Sequence, residues 1–466
     1  MDNRISQADG ERREMILNGP LGKALAMVAM PLVLHQCLFF VFQLIDTSVS
    51  AGVSSKAVSA IYYISQVITV LASMGQGLAV GAGIKIATAY GAGKYDEAHE
   101  HARSMYMLCG MVCVPMLAVC IPFAESIMRL ARTPESFLEL GRAYFIISIT
   151  ATAVDIFNSA YLATERARGN TKRILMLNFW KAALKLALTW LLVWAVGRDM
   201  AMLAATTLAA NLFMSTAAAL NLRREKGIFS ITKKDIKWKG NTLGQIVKLA
   251  VPSTFEKAFF HVGKLFTNFM MVFYGSTTVG AFSVAQSMSI LINGAQTGFQ
   301  DAAATVINQN RGNQNYRRVL DTFKYTMVFS VAAGLFGACV VTVFREALYA
   351  LFSPGEASFA ADVFMLNRFF AVSLTPMGIS CAVVALLYGF GKTKWAMSIN
   401  FIRLFVLRIP LLWYFENCTS MGMEAVGLSL VISNIITAAV SLAMAAVLIK
   451  AVCREHSVEF TWRRSP

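Results

Sequence analysis

The chain has 466 residues, 56% of them hydrophobic and 15% charged, with a mean hydropathy of +0.56. Soluble globular proteins are nearer half apolar and a quarter charged, so an exterior that faces water everywhere is excluded. The net charge of +16, from 42 Lys and Arg against 26 Asp and Glu, would suit nucleic-acid phosphates if it formed one patch; it is dispersed between apolar runs instead, so no nucleic-acid partner is expected.

Residues 1–22 are polar and mixed in charge and are expected to form an N-terminal segment outside the membrane. Twelve apolar segments follow, at 24–46, 57–83, 104–123, 142–163, 174–196, 200–221, 245–273, 279–306, 319–343, 362–388, 396–415 and 424–450. Each is about long enough to cross a hydrocarbon core of roughly 30 Å as a helix. The first contains Pro31 and runs to Asp46 without a small-residue cleavage site, so it is expected to be a retained span and not a signal peptide. The connection after span 4 carries Arg166, Arg168, Lys172 and Arg173, and the one after span 8 carries Arg311, Arg317 and Arg318. The longest, a basic linker at 223–243, follows span 6, and the opposite connections carry far less net positive charge. By the positive-inside rule both termini, including the tail 451–466, are expected on the cytoplasmic side of a plasma or inner membrane. The eight cysteines lie mostly inside apolar runs and are read as small buried hydrophobes. His99 and His101, in the second connection, are read as part of a solvated loop.

The linker divides a repeated sequence. Pro31 and Pro252, Ala60 and Ala281, Gly77 and Gly298, Gly91 and Gly312, and Tyr95 and Tyr316 are all 221 positions apart. At an offset of 222, Gly169, Thr171, Lys172, Asn178 and Phe179 pair with Gly391, Thr393, Lys394, Asn400 and Phe401. Six spans return the chain to its starting side, so the copies should be parallel repeats. The expected fold is an all-α polytopic membrane protein, with twelve transmembrane helices in two pseudo-symmetric six-helix bundles. The expected lobes are 23–222 and 244–450, enclosing a central site open alternately to each side.

Span 1 ends LIDTSVSAGVS, span 2 ends TAYGAGKYDEA, and the second-half counterpart reads INQNRGNQNYRRV. LATERARGNTKR follows span 4, LLYGFGKTK follows span 10, and LRIPL lies in span 11. In order, doubling and placement these motifs resemble those of the multidrug and toxic compound extrusion family over about residues 23–450. The resemblance implies export of a substrate, usually an organic cation, in exchange for protons or sodium. It also implies that Asp46, on the Asp of the first-helix motif, takes part in cation coupling. Many members place an Asn and then an acid or second Asn on span 5; this chain has Lys185 and Thr189 there. A protonated lysine cannot ligate a cation, so Lys185 is expected to pair with Asp46.

Intramembrane charge is costly and marks candidate sites by itself. Asp155 with Asn158 makes a polar stripe on span 4, Lys181 and Lys185 share a face of span 5, and Glu256 lies one turn past Pro252. The cation-coupling set is therefore Asp46, Lys185, Asp155 and Glu256. The substrate-cavity set is Gln43, Asn158, Lys181, His261, Lys264, Asp301 and Arg408. So many internal cations would be balanced by the acids or would mark an anionic substrate. No enzyme constellation and no metal-ligand spacing is visible, and no cofactor beyond a coupling H+ or Na+ is expected. The expected partners are a small-molecule substrate and the lipid bilayer, with the chain acting as a monomer. The reading is a secondary exporter of amphipathic small molecules, with two alternatives, a flippase for a lipid-linked precursor and an exporter of anions.

Overall fold

The computed structural model describes residues 6–51, 55–130, 135, 138–195, 200–224, 228–229, 240–275, 277–352 and 357–461. Within these, the side chains of 43–51, 55–63, 130, 139–140, 193–195, 200, 224, 351–352 and 357–358 lie outside the description. No strand occurs among the described residues. The helices are α1 (Gln7–Leu17), α2 (Leu21–Ala51), α3 (Ser55–Gly91), α4 (Tyr95–Cys120), α5 (Ala124–Leu130), α6 (Leu138–Ala167), α7 (Thr171–Ala195), α8 (Met200–Arg224) and α9 (Gly240–Met271). They continue as α10 (Thr278–Met288), α11 (Ile290–Gly312), α12 (Tyr316–Val343), α13 (Arg345–Phe352), α14 (Ala357–Gly389), α15 (Thr393–Phe401), α16 (Ile409–Cys418) and α17 (Glu424–His456).

These helices fall on the twelve expected spans, with the eighth broken at Ser289 into α10 and α11 and the eleventh formed by α15, a π-turn and α16. Among the described residues, ten are long and apolar enough to cross a membrane. The other two are α9 and α10–α11, where polar side chains replace apolar ones. The buried side of α11 carries Gln296, Gln300, Asn308, Gln309 and Asn310. Large apolar side chains such as Val114, 67% exposed, and Phe336, 72% exposed, cover outer faces that only lipid would solvate favourably. His99 and His101 do not form a solvated loop: both lie on α4, and His101 is buried.

The duplication reaches down to single turns. α3, α6, α11 and α14 are each followed, two residues past the end, by a residue with positive φ, at Gly93 (74°), Gly169 (78°), Gln314 (58°) and Gly391 (65°). In each, that residue's N–H bonds the carbonyl three back and the next N–H bonds the carbonyl five back: Gly93 to Tyr90 and Lys94 to Ala89, Gly169 to Arg166 and Asn170 to Glu165, Gln314 to Arg311 and Asn315 to Asn310, Gly391 to Tyr388 and Lys392 to Leu387. This is the Schellman termination, which needs a left-handed residue at its centre and therefore favours glycine. Two short helices that lie between spans, α5 and α13, also begin 221 positions apart.

The chain forms two compact units, Met1–Glu14 with Leu38–Ala258, and Met15–Cys37 with Phe259–Pro466. This division is not a single cut at the linker, because the start of α2 groups with the second half and the start of α9 with the first. The exchange obeys the repeat, since Cys37 and Ala258, where the two segments end, are 221 apart. The core of the first unit includes Met105, Phe145 and Ile149, and that of the second Phe282, Val363, Leu366 and Leu412.

Within the first unit the N-terminal segment is docked by charge and by backbone capping. Glu165, 1% exposed, accepts from Arg168 Nε at 3.1 Å and Asn170 Nδ2 at 2.7 Å. Arg173 lies 3.5 Å from the same carboxylate, and Arg168 also reaches Asp9 of α1 at 3.4 Å. Arg13 of α1 donates to the Tyr90 and Gly91 carbonyls at 3.2 and 2.8 Å, satisfying acceptors at the end of α3. In the second unit Arg318 donates to the Ile16 and Gly19 carbonyls at 3.0 and 2.6 Å.

Candidate functional site

In the first unit the described candidate residues come from α6, α7 and the start of α9, with α8 packed against them. Asp155 Oδ1 on α6 accepts from Lys181 Nζ on α7 at 2.7 Å, with the two side chains 45% and 25% exposed. The pair is thus partly open on two helices of membrane-crossing length, where hydrocarbon alone would solvate its charges poorly. Lys185, one turn further along α7, is half-buried. Thr189, a turn beyond, is fully buried with its hydroxyl 2.8 Å from the Lys185 carbonyl and 3.1 Å from the Thr206 hydroxyl of α8.

Asn158 follows Asp155 by one turn but turns to a different task. It is 2% exposed, donates to the Asn211 carbonyl at 3.0 Å and accepts from Ser215 at 2.7 Å, while Asn211 donates to the Ala151 carbonyl at 2.9 Å. These bonds seam α6 to α8 and hold the helix that presents Asp155. On α9, Glu256 is 1% exposed, with its carboxylate 3.6 Å from Lys257 Nζ.

In the second unit the charge is mainly positive. Lys264 of α9 is exposed and has no ion-pair partner among the described residues. His261 is half-buried beside the Phe260 ring. Span 11 contributes two arginines at the ends of a π-turn, Ile402–Arg408. There the Ile409 N–H bonds the Leu404 carbonyl, five residues back. Pro410 follows and has no N–H to continue the ordinary ladder, which accounts for the change of register. Arg403 donates to Asn400 at 2.7 Å and lies 5.5 Å above the Phe260 ring. Arg408 is held by neutral groups of α17, Ser433 Oγ at 3.1 Å and Asn434 Oδ1 at 3.0 Å. Gly263 lets α9 close on the π-turn, since a Cβ there would lie 2.8 Å from Leu404 Cδ1. Asp301, on α11, is half-buried.

The sequence singled out Asp155 and Lys181 separately, and the structure brings them together. The side chains of Gln43 and Asp46 lie outside the described residues, and with them the expected Asp46–Lys185 pair. The sequence marked Arg403 as an intramembrane charge of span 11 but not its place over the Phe260 ring, and it did not mark Glu165 as the hub of a buried network.

A family model described as MatE matches residues 31–191 and 252–414, one stretch in each half. A probable multidrug resistance protein of Bacillus subtilis, YpnP, is 22% identical over 417 residues, covering 88% of this chain and 92% of that protein. An FAD transporter of Shewanella oneidensis is 20% identical over 419 residues, covering 86% and 89%. A solved multidrug resistance MATE family transporter in an outward-facing conformation superimposes with a TM-score of 0.90 at 20% identity, covering 94% of this chain and 98% of that one.

Proposed function

Because the chain belongs to the multidrug and toxic compound extrusion family, whose members are transporters and not enzymes, we propose that it exports amphipathic small molecules carrying negative charge, in exchange for H+ or Na+. The observation that carries the cargo's sign is the cationic set of the second unit. Lys264 is exposed on a membrane helix, and among the described residues Arg408 is held by the neutral Ser433 and Asn434 and has no ion-pair partner. A buried or lipid-embedded cation without an acid is costly, and an anionic cargo would supply the missing charge. The similarity to relatives named for multidrug resistance and for FAD transport supports the drug and toxin class broadly, with room for an anion.

In this reading the first unit handles the coupling ion. Asp155, Glu256 and Asp46 are its acids, and Lys181 and Lys185 its competing cations. Protonation or cation binding at Asp155 would release Lys181 and change the relative stability of the two access states. The positive-inside pattern of the connections supports cytoplasmic termini in a cell membrane, and in this reading transport runs outward.

The test is efflux from proteoliposomes of two fluorescent amphiphiles matched in size and opposite in charge. The anionic probe should be transported faster, and the double variant Lys264→Gln/Arg408→Gln should slow it by about tenfold or more, the factor that ~1.4 kcal/mol of lost charge-assisted contact gives. Equal transport of both probes, unchanged in the variant, would refute the anionic assignment.

A further inference from the structure

On the second unit, away from the cationic set, a cavity of about 630 Å³ lies between α12, α14 and α17. Its walls are apolar, with Phe323 and Met327 from α12, Ile379 from α14 and Leu442 from α17. One end is bounded by Lys450 and by Phe460 of the tail. That last wall depends on a chain reversal: Ser457 takes φ 53°, ends α17 and sends its N–H to the Cys453 carbonyl. The returning tail brings the Phe460 ring to 6.5 Å from that of Phe323. His456 stacks on Tyr316 at 3.5 Å and fixes the turn from the other side.

The charge at this end is unevenly compensated. Lys324 Nζ lies 5.1 Å from the Phe460 ring and is neutralised by Asp321 at 2.7 Å. Lys450 is exposed and has no ion-pair partner among the described residues. Leu442 is 42% exposed on the same helix as Val447, 59% exposed, and Val328 of α12 is 57% exposed. The groove therefore lies beside faces that acyl chains cover. From Leu442 to Lys450 is about 12 Å of helix, enough for the upper part of an acyl chain running inward from a headgroup. A lysine at the end of an apolar groove between membrane helices is the arrangement that holds an anionic headgroup.

We infer that this groove is a seat for one anionic phospholipid, with an acyl chain between α12, α14 and α17 and the headgroup phosphate on Lys450. The site is distinct from the proposed transport residues and does not depend on the cargo's identity.

The experiment uses the full-length protein in detergent, with native mass spectrometry and thermal unfolding as readouts. Phosphatidylglycerol, phosphatidylcholine and inorganic phosphate are added separately. Phosphatidylglycerol should be retained about fivefold better than phosphatidylcholine and should raise Tm. Lys450→Gln should abolish that preference, and Ala446→Trp, which fills the groove from an exposed position, should lower retention of both lipids. Each variant is compared only where its own Tm without lipid matches wild type, and Phe460→Ala serves as an independent way of opening the groove wall. Equal retention of the two lipids by wild type, an unchanged preference in Lys450→Gln, or phosphate alone raising Tm as much as phosphatidylglycerol would overturn the assignment.

Discussion

Gly77 of α3 meets Thr254 of α9 so closely that a Cβ on the glycine would lie 2.6 Å from the Thr254 Cα. The relation recurs 221 residues on, where a Cβ on Gly298 would lie 2.9 Å from the Cα of Val33 on α2. Each crossing lies inside its own compact unit, and each needs the missing side chain to let two backbones approach. Gly77→Val and Gly298→Val should therefore each lower the unfolding temperature and reduce transport, by an overpacking cost of about 1–3 kcal/mol or more. Thermal unfolding of the purified variants checks this, and a near-wild-type Tm for either would contradict the crossing.

The four Schellman turns make an opposite prediction for one residue. Gln314 holds φ 58° where its three counterparts are glycine. A left-handed non-glycine residue costs about 1 kcal/mol or slightly more, so Gln314→Gly should raise Tm by a few degrees, offset partly by the freer unfolded chain. Gly169→Ala and Gly391→Ala should lower it by a similar energy. If all three changes moved Tm in the same direction, the turn geometry would not be the determinant.

The Glu165 network ties α1 to the turn after span 4. Removing one partner of a buried ion pair leaves the other charge stranded, at about 3–5 kcal/mol. Arg168→Met should thus be strongly destabilising, and Arg173→Met, whose side chain is 27% exposed, much less so. Limited proteolysis near residues 5–20 should accelerate in Arg168→Met if the helix is released, and an unchanged cleavage rate would argue that α1 docks without this pair.

Much of this architecture was legible in the sequence. Apolar runs of membrane-crossing length placed the helices, and the repeat offsets paired Gly77 with Gly298 and Gly169 with Gly391, residues that the structure puts at close crossings and at positive-φ turns. The exchange of the first segments of α2 and α9 was not legible, since nothing local to those helices says which bundle they will join. Neither was the role of Glu165, whose network reaches the distant Asp9 through Arg168 and whose own neighbours read as an ordinary basic connection. Asn158 illustrates the limit for the site. A polar residue on a membrane helix faces either a cleft or a neighbouring helix, and one-dimensional spacing could not separate the two, whereas the bonds to Asn211 and Ser215 do.

The Asp155–Lys181 pair predicts a pattern of loss and rescue. Asp155→Asn and Lys181→Met should each reduce transport by about tenfold or more, because each leaves one intramembrane charge without its partner. The exchange Asp155→Lys/Lys181→Asp should recover part of the loss if the pair acts through its mutual attraction. Wild-type transport by Lys181→Met would remove the pair from the mechanism.

The coupling reading is tested most directly by counterflow in proteoliposomes carrying separately imposed pH and sodium gradients, with wild type compared with Asp46→Asn and Asp155→Asn. One of the two gradients should drive substrate accumulation in wild type, and both variants should lose the gradient-driven component while still exchanging labelled for unlabelled substrate. Accumulation that persists in both variants, or that neither gradient drives in wild type, would contradict cation-coupled export by these residues.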